Sequence, residues 1–202
     1  MKHKKTIELY QYWNKLRGSN AAPKRCDLDP HDIPGLLGDL FILERKTPVR
    51  YTFRLAGTRM CAAFGQELRQ LEFNSMWKDQ DRESIESVLH TITEDASTAI
   101  LGVQGIGVGG HSLPLEILLL PLYQTAGKLN RIVGIFLPLK SAYWVGNQPL
   151  IRQKIRSLRL IMPNEHAEFE KEAIRVNAKT SFGQANPRRT AVNLTVIKGG
   201  LD

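Results

Sequence analysis

The sequence predicts an α+β fold: a five-stranded antiparallel sheet with helices gathered on one face, an amphipathic helix before it and a charged tail after it. Two stretches predict it. In the first, Val49, Tyr51, Phe53 and Leu55 alternate with Arg50, Thr52 and Arg54, the pattern of a half-buried strand. Gly57 breaks that strand and a short helix of small and apolar residues comes after it. In the second, residues 98–108, 113–123 and 131–139 are three strand-like runs joined by tight connections. Tight connections force an antiparallel arrangement, because a parallel return needs a crossover of about a dozen residues or more. A chain of 202 residues, 42% hydrophobic, suits one core of about 100–150 residues with extensions.

From the N-terminus, Leu9, Tyr12, Trp13 and Leu16 fall at i, i+3, i+4 and i+7, so residues 6–17 read as an amphipathic helix ended by Gly18. A helix this short must dock its stripe, on its own sheet or on a second subunit. The stripe is aromatic and a linker at 18–27 separates it from the core, which points to a homodimer interface built on Leu9, Tyr12, Trp13 and Leu16. Asp29-Pro30 offers an N-cap and an N1 proline for a short helix reaching 37. Residues 40–44 and 49–56 form a hairpin. Thr58 can cap a helix carrying Met60, Cys61 and Phe64, which Gly65 ends in a left-handed turn. Asp79, Asp81 and Glu83 suit the first turn of a longer helix whose apolar face is Ile85, Val88, Leu89 and Ile92. Trp144 and its neighbours close the core, and residues 151–160 read as an extended segment on a basic edge.

The resulting division is an N-terminal helix at 1–22, a core at 23–145, a basic extension at 146–163 and a flexible tail at 164–202. Within the tail, 165–177 is at most a loose helix. Residues 192–198 could add as a strand to a partner's sheet edge.

Charge sits at the edges. Net charge is +8, with seven Lys/Arg against one acid in residues 1–25 and four bases with no acid in residues 151–160. Solvated ends explain this most simply, and an acidic partner such as nucleic acid or anionic lipid is the sharper alternative. Cys26 and Cys61 make no metal spacing and read as free thiols of a reducing compartment. No secretory h-region and no membrane-length apolar run occurs, so a soluble cytoplasmic protein is expected.

Several motifs fail on context. Residues 105–110 match GxGxxG, but Ser112-Leu-Pro-Leu115 comes next instead of a helix and no acid lies at the required distance. Arg152 and Arg156 give only half of a cyclic-dinucleotide motif. The five histidines are scattered, which argues against zinc, and His90 on the long helix reads as an ordinary histidine rather than a haem ligand.

A family resemblance rests on Arg54-Leu-Ala-Gly-Thr58, Phe64-Gly-Gln-Glu-Leu68, Met76-Trp77, Glu116 before Leu118-Leu-Leu-Pro-Leu122, and Gly134 in the last core strand, with Trp13 and Arg25…Asp29-Pro30 upstream. Over about residues 10–140 the chain resembles a bacterial PAS-like family of single-domain cytoplasmic regulatory proteins, typical of alphaproteobacteria. Gln70 departs from it, standing where a glycine is expected. The resemblance implies a PAS-like sheet and a sensory or protein-interaction module without catalytic residues. It carries no flavin motif, and the cofactor is left unknown.

A ligand pocket, if there is one, is expected between the sheet and the helices carrying Met60, Phe64 and Leu89, roofed by Met76 and Trp77. Arg54 and Glu116 are charges in apolar-patterned strands. They either face solvent or orient a polar ligand. The expected function is a non-enzymatic regulatory module in signal transduction, binding a small ligand, a regulatory protein partner or a second copy. A nucleic-acid or anionic-surface binder using the basic ends is the alternative.

Overall fold

The computed structural model describes residues 1–124 and 127–166. Six strands form one antiparallel sheet: β1 (Leu40–Thr47), β2 (Arg50–Ala56), β3 (Thr98–Gly107), β4 (Ser112–Tyr123), β5 (Leu129–Pro138) and β6 (Leu150–Ile161), in the order β2-β1-β5-β4-β3-β6. The expected five are all present. The sixth is the extended segment read at 151–160, which pairs along the whole of β3. Its thin apolar pattern reflects an edge strand with one side largely in solvent.

Among the described residues three α-helices complete the fold: α1 (Lys4–Arg17), α2 (Thr58–Phe64) and α3 (Asp79–Asp95). They do not share one face. On the inner face, α2 and α3 cover Phe41, Phe53, Leu101, Leu115, Ile117 and Phe136. On the outer face, α1 places Leu9, Tyr10 and Trp13 over Leu118, Leu120 and Val133. Successive residues of β4 alternate between the two cores, Leu115, Ile117 and Leu119 inward, Glu116, Leu118 and Leu120 outward. This is why residues 113–122 read as an almost unbroken apolar run.

The N-terminal helix thus docks at home. Leu9 and Trp13 are 0% exposed, and the Trp13 indole N–H donates to the Pro121 carbonyl at 2.8 Å. Of the four residues expected at a dimer interface, Tyr12 and Leu16 keep partial exposure while Leu9 and Trp13 are covered by their own sheet. Residues 18–27 are correspondingly no free linker. Ala22 and Leu28 enter the outer core, and Tyr123 N–H bonds the Pro23 carbonyl at 3.0 Å. The helix expected from Pro30 to residue 37 is a single 3-10 turn, Pro30–Asp32, capped by Asp29, after which turns carry the chain to β1.

Two glycines serve close approach. A Cβ on Gly134 would stand 2.3 Å from the Phe41 ring, which lies flat against β5 there. A Cβ on Gly57 would meet the Gly38 carbonyl oxygen at 2.3 Å, so the turn into α2 presses on the turn before β1. Gly65 ends α2 in the left-handed region at φ 63°, as its position implied. Gln70 sits at φ 70°, the conformation that favours the glycine expected there. The stretch it belongs to covers the outer edge of β2: Gln70 N–H bonds the Phe53 carbonyl at 2.8 Å, and Phe73 N–H bonds the Tyr51 carbonyl at 2.9 Å.

Trp144 is buried under Gly107 with His111 stacked on it, while Tyr143 is exposed. The glycines of residues 105–110 form the end of β3 and the turn into β4, not a nucleotide loop. The tail from residue 167 onward, with the loose helix and the strand expected in it, lies outside the described residues.

Candidate functional site on the outer face of the sheet

Between the sheet and the helices the residues expected to line a pocket pack into a core, while Phe64 and Met76 at its margin also line an open recess of about 520 Å³ with Leu71, Arg82 and Leu150. Met60, Phe64, Met76, Trp77 and Leu89 do come together, but at 7% exposure or less, inside a continuous core. Phe41, Phe53, Phe73 and Trp77 interlock there with ring centroids 5.6–5.8 Å apart. A flavin-sized ring system in this space would have to displace those rings, so the inner core as it stands does not fit one. Cys61 does not offer a reactive thiolate. Burial pushes its pKa up, and its thiol points to the Ala56 carbonyl and Glu67. His90 is exposed on α3, and among the described residues no cluster of His, Cys, Asp or Glu could hold a metal.

Glu116 is not part of that pocket and is not exposed. It is 3% exposed on the outer face, where its carboxylate accepts the backbone N–H groups of Lys2 at 2.7 Å and His3 at 3.0 Å. It anchors the start of α1, which satisfies a buried charge with two strong acceptor bonds. Asp39 links both faces in a similar way. Its carboxylate takes Lys5 Nζ of α1 at 2.8 Å and Arg59 Nε of α2 at 2.6 Å. Burial alone would raise its pKa, but the hydrogen bonds from Arg59 and Lys5 outweigh it and hold Asp39 below the usual carboxylate range.

Arg54 lies elsewhere, and its position comes from a bulge. Leu43 pairs with Phe53 and Ile42 with Leu55, leaving Arg54 as the extra residue of β2. Beyond the bulge the strand's facing is reversed. Tyr51 and Phe53 enter the inner core, while Leu55 turns to the outer side beside Ile42 and is 42% exposed. The alternation seen in the sequence therefore holds at Tyr51 and Phe53 and breaks at Leu55, while Val49 lies in the turn before β2 and is exposed.

At this corner α1 no longer covers the sheet, and a two-armed recess opens. Its apolar arm, about 360 Å³, is floored by Leu40, Ile42 and Leu55 and walled by Leu28, Ile33 and Leu37. Its polar arm, about 510 Å³, is lined by Arg25, Arg54, Arg69, Arg131 and Glu67. Both arms include Arg25, Ile42, Leu55 and Ala56, so they lie side by side. The outer wall is held by Tyr12: Asp29 N–H donates to its hydroxyl at 2.8 Å, and the hydroxyl donates to Asp32 at 3.2 Å.

The charges of the polar arm are unequal. Arg131 pairs with Glu44 at 3.3 Å. The guanidinium groups of Arg25, Arg54 and Arg69 have no hydrogen bond or ion pair among the described residues, Arg54 sensing Glu44 only at longer range. Of these residues sequence reasoning offered Arg54 alone as a ligand contact, Arg25 entering only through the family resemblance. Arg25, Arg69 and Arg131 are far apart in the chain and carry no common motif. The signal that could have pointed here is the apolar outward set of β4, which demands a second covering layer and so asks where that layer ends.

The PAS domain family matches residues 1–137. The chain belongs to the PAS domain family. That places it among sensory modules of signalling proteins. Among solved structures, a light-oxygen-voltage domain studied with a flavin analogue is 11% identical, covering 56% of this chain and 85% of its own, at a TM-score of 0.44. The Aureochrome1 light-oxygen-voltage domain in its light state is 12% identical over 57% of this chain and 94% of its own, at 0.42. A sensory box histidine kinase/response regulator from Burkholderia thailandensis E264 is 15% identical over 76% and 98%, at 0.39. No protein of curated function matches the chain. No helix among the described residues is long and apolar enough to cross a membrane.

Proposed function

We propose that this PAS-family chain is a non-enzymatic regulatory module of signal transduction, whose ligand or partner binds on the outer face of the sheet rather than inside the fold. The observation that supports this is the recess at the β1–β2 corner, an apolar floor beside three guanidinium groups that are unpaired among the described residues, set against an inner core packed by its own aromatic rings. The recess is walled by residues 25–38, which Tyr12 ties to α1 and Arg59 ties to α2 through the Gly35 carbonyl. Occupancy there bears on both helices at once, which is what a regulatory site requires. A homodimer remains part of the proposal, formed through a surface other than Leu9 and Trp13.

Native mass spectrometry of the purified chain tests this reading and reports the subunit count as well. The wild type is expected to retain a small molecule or partner that Leu55→Glu loses, with the fold unchanged by circular dichroism. Retention by Leu55→Glu would move the site away from the recess.

The second reading, binding to nucleic acid or an anionic surface, is favoured by β6. Arg152, Arg156 and Arg159 are exposed along this edge strand. Such binding would weaken steeply with salt and fall with Arg152→Gln, whereas the recess reading predicts no effect of that substitution.

A further inference from the structure

We infer that the recess at the β1–β2 corner binds a free single-chain amphiphile whose head is a phosphate monoester and whose tail is an alkyl or acyl chain. The inference rests on the regulatory reading above and names the ligand class of that site.

The charge count selects the head. Arg25, Arg54 and Arg69 face one acid of the arm, Glu67, and Arg131 shares Glu44 with Lys46, so three charges less one leave at least two positive charges without partners among the described residues. Glu67 is itself turned away in part, accepting the Arg69 backbone N–H at 3.0 Å. A phosphate monoester is close to a dianion at neutral pH, with a second pKa of about 6. Guanidinium forks match its oxygens in pairs. A carboxylate would leave one of the two charges unanswered.

The apolar arm selects the tail. Its walls are aliphatic, and its volume of about 360 Å³ is near the lower end of small-molecule sites, which run from about 300 to 1,000 Å³. One chain fits where two would not, which favours a free amphiphile over a two-chain bilayer lipid. An extended peptide has no ladder to join, because the outer edge of β2 is already bonded by Gln70, Leu71 and Phe73. Leu37, 39% exposed on the wall, marks the mouth through which a chain enters.

The experiment is isothermal titration of the full chain with dodecyl phosphate below its micelle concentration, beside dodecanoate, dodecyl maltoside and inorganic phosphate. Dodecyl phosphate should bind at least about tenfold tighter than each of the others, since it alone joins the apolar tail to a dianionic head that the guanidinium groups can hydrogen-bond. Arg25→Gln and Arg54→Gln should each weaken it about five- to tenfold and leave the maltoside unchanged. Arg152→Gln, on β6, should change nothing. Lowering the pH from 7.5 to 5 should weaken binding as the head becomes a monoanion. Equal binding of dodecanoate and dodecyl phosphate would overturn the dianionic head. Indifference to both arginine substitutions would overturn the site. Preference for vesicles containing phosphatidic acid over the free ester would replace the free amphiphile with a membrane. If dodecyl phosphate fails while Leu55→Glu still strips a retained mass from the purified protein, the ligand class is wrong and the regulatory site stands. If neither occurs, both fall.

Discussion

On the inner face of the sheet, two helices set Met60, Phe64, Ile85 and Leu89 among the rings of Phe41, Phe53, Phe73 and Trp77, and the space closes. On the outer face, α1 closes the part over β4 and β5 in the same way, but the corner over β1 and β2 is left to residues 25–38. The difference is one of regularity. A helix presents side chains in rows that interdigitate with a sheet at native density. A segment of turns presents backbone and few side chains, so it walls a space without filling it. In this PAS-family chain the recess at the β1–β2 corner therefore lies where the covering layer is least regular.

The largest effect that could break this comparison is at Trp13. If α1 belongs to its own sheet, Trp13→Ala should cost about 3–5 kcal/mol in urea denaturation and leave the sedimenting mass unchanged. A mass that falls by half with little loss of stability would return the helix to a dimer interface.

His166 probes the same layer. It is 1% exposed, its Nδ1 lies 2.8 Å from the Tyr10 hydroxyl, and its ring sits against Tyr10 and Trp13. Burial, reinforced by the charge of Arg17, lowers its pKa from 6.5 to about 4. The folded chain thus keeps His166 neutral where the unfolded chain takes up a proton. That stability is complete above pH 6.5 and is lost as pH falls toward 4, by up to about 3 kcal/mol. Denaturation at pH 7.5 and 4.5 should show the loss, and His166→Phe should flatten the slope. An equal slope in the variant would place the titrating group elsewhere.

Met60→Trp sharpens the reading of the inner face. Met60 is 1% exposed in a filled core, so a larger ring should destabilise by about 1–3 kcal/mol. A neutral or stabilising result, read by thermal melting, would mean that space exists there after all.

The smallest effect concerns the edge. Gln70, at φ 70°, holds the stretch that covers β2, and Gln70→Gly should stabilise by about 0.5–1 kcal/mol by relieving the left-handed strain. A loss of stability in the same melting assay would show that the side chain, not the backbone, fixes this turn.

Alternation and turn chemistry made the helices α1, α2 and α3 and the five strands β1 to β5 legible in the amino-acid sequence, because both depend on neighbours a few residues away. Gly65 was legible for the same reason, whereas Gly134 and the misfit at Gln70 were legible only through the family resemblance. The assignment of faces was not. The apolar stripe of α1 is identical whether it meets its own sheet or another chain, and only the three-dimensional fold puts Trp13 under the Pro121 carbonyl. The bulge at Arg54, which turns Leu55 outward, depends on register with β1, and no local pattern announces it. Burial of Glu116 depends on two backbone N–H groups more than a hundred residues away. The recess is the furthest from the sequence, since Arg25, Arg54, Arg69 and Arg131 become neighbours only when β1, β2 and β5 align and residues 25–38 fold across them. Local order is written in spacing, whereas a site made of distant charges exists only once the chain has chosen which surfaces to bury.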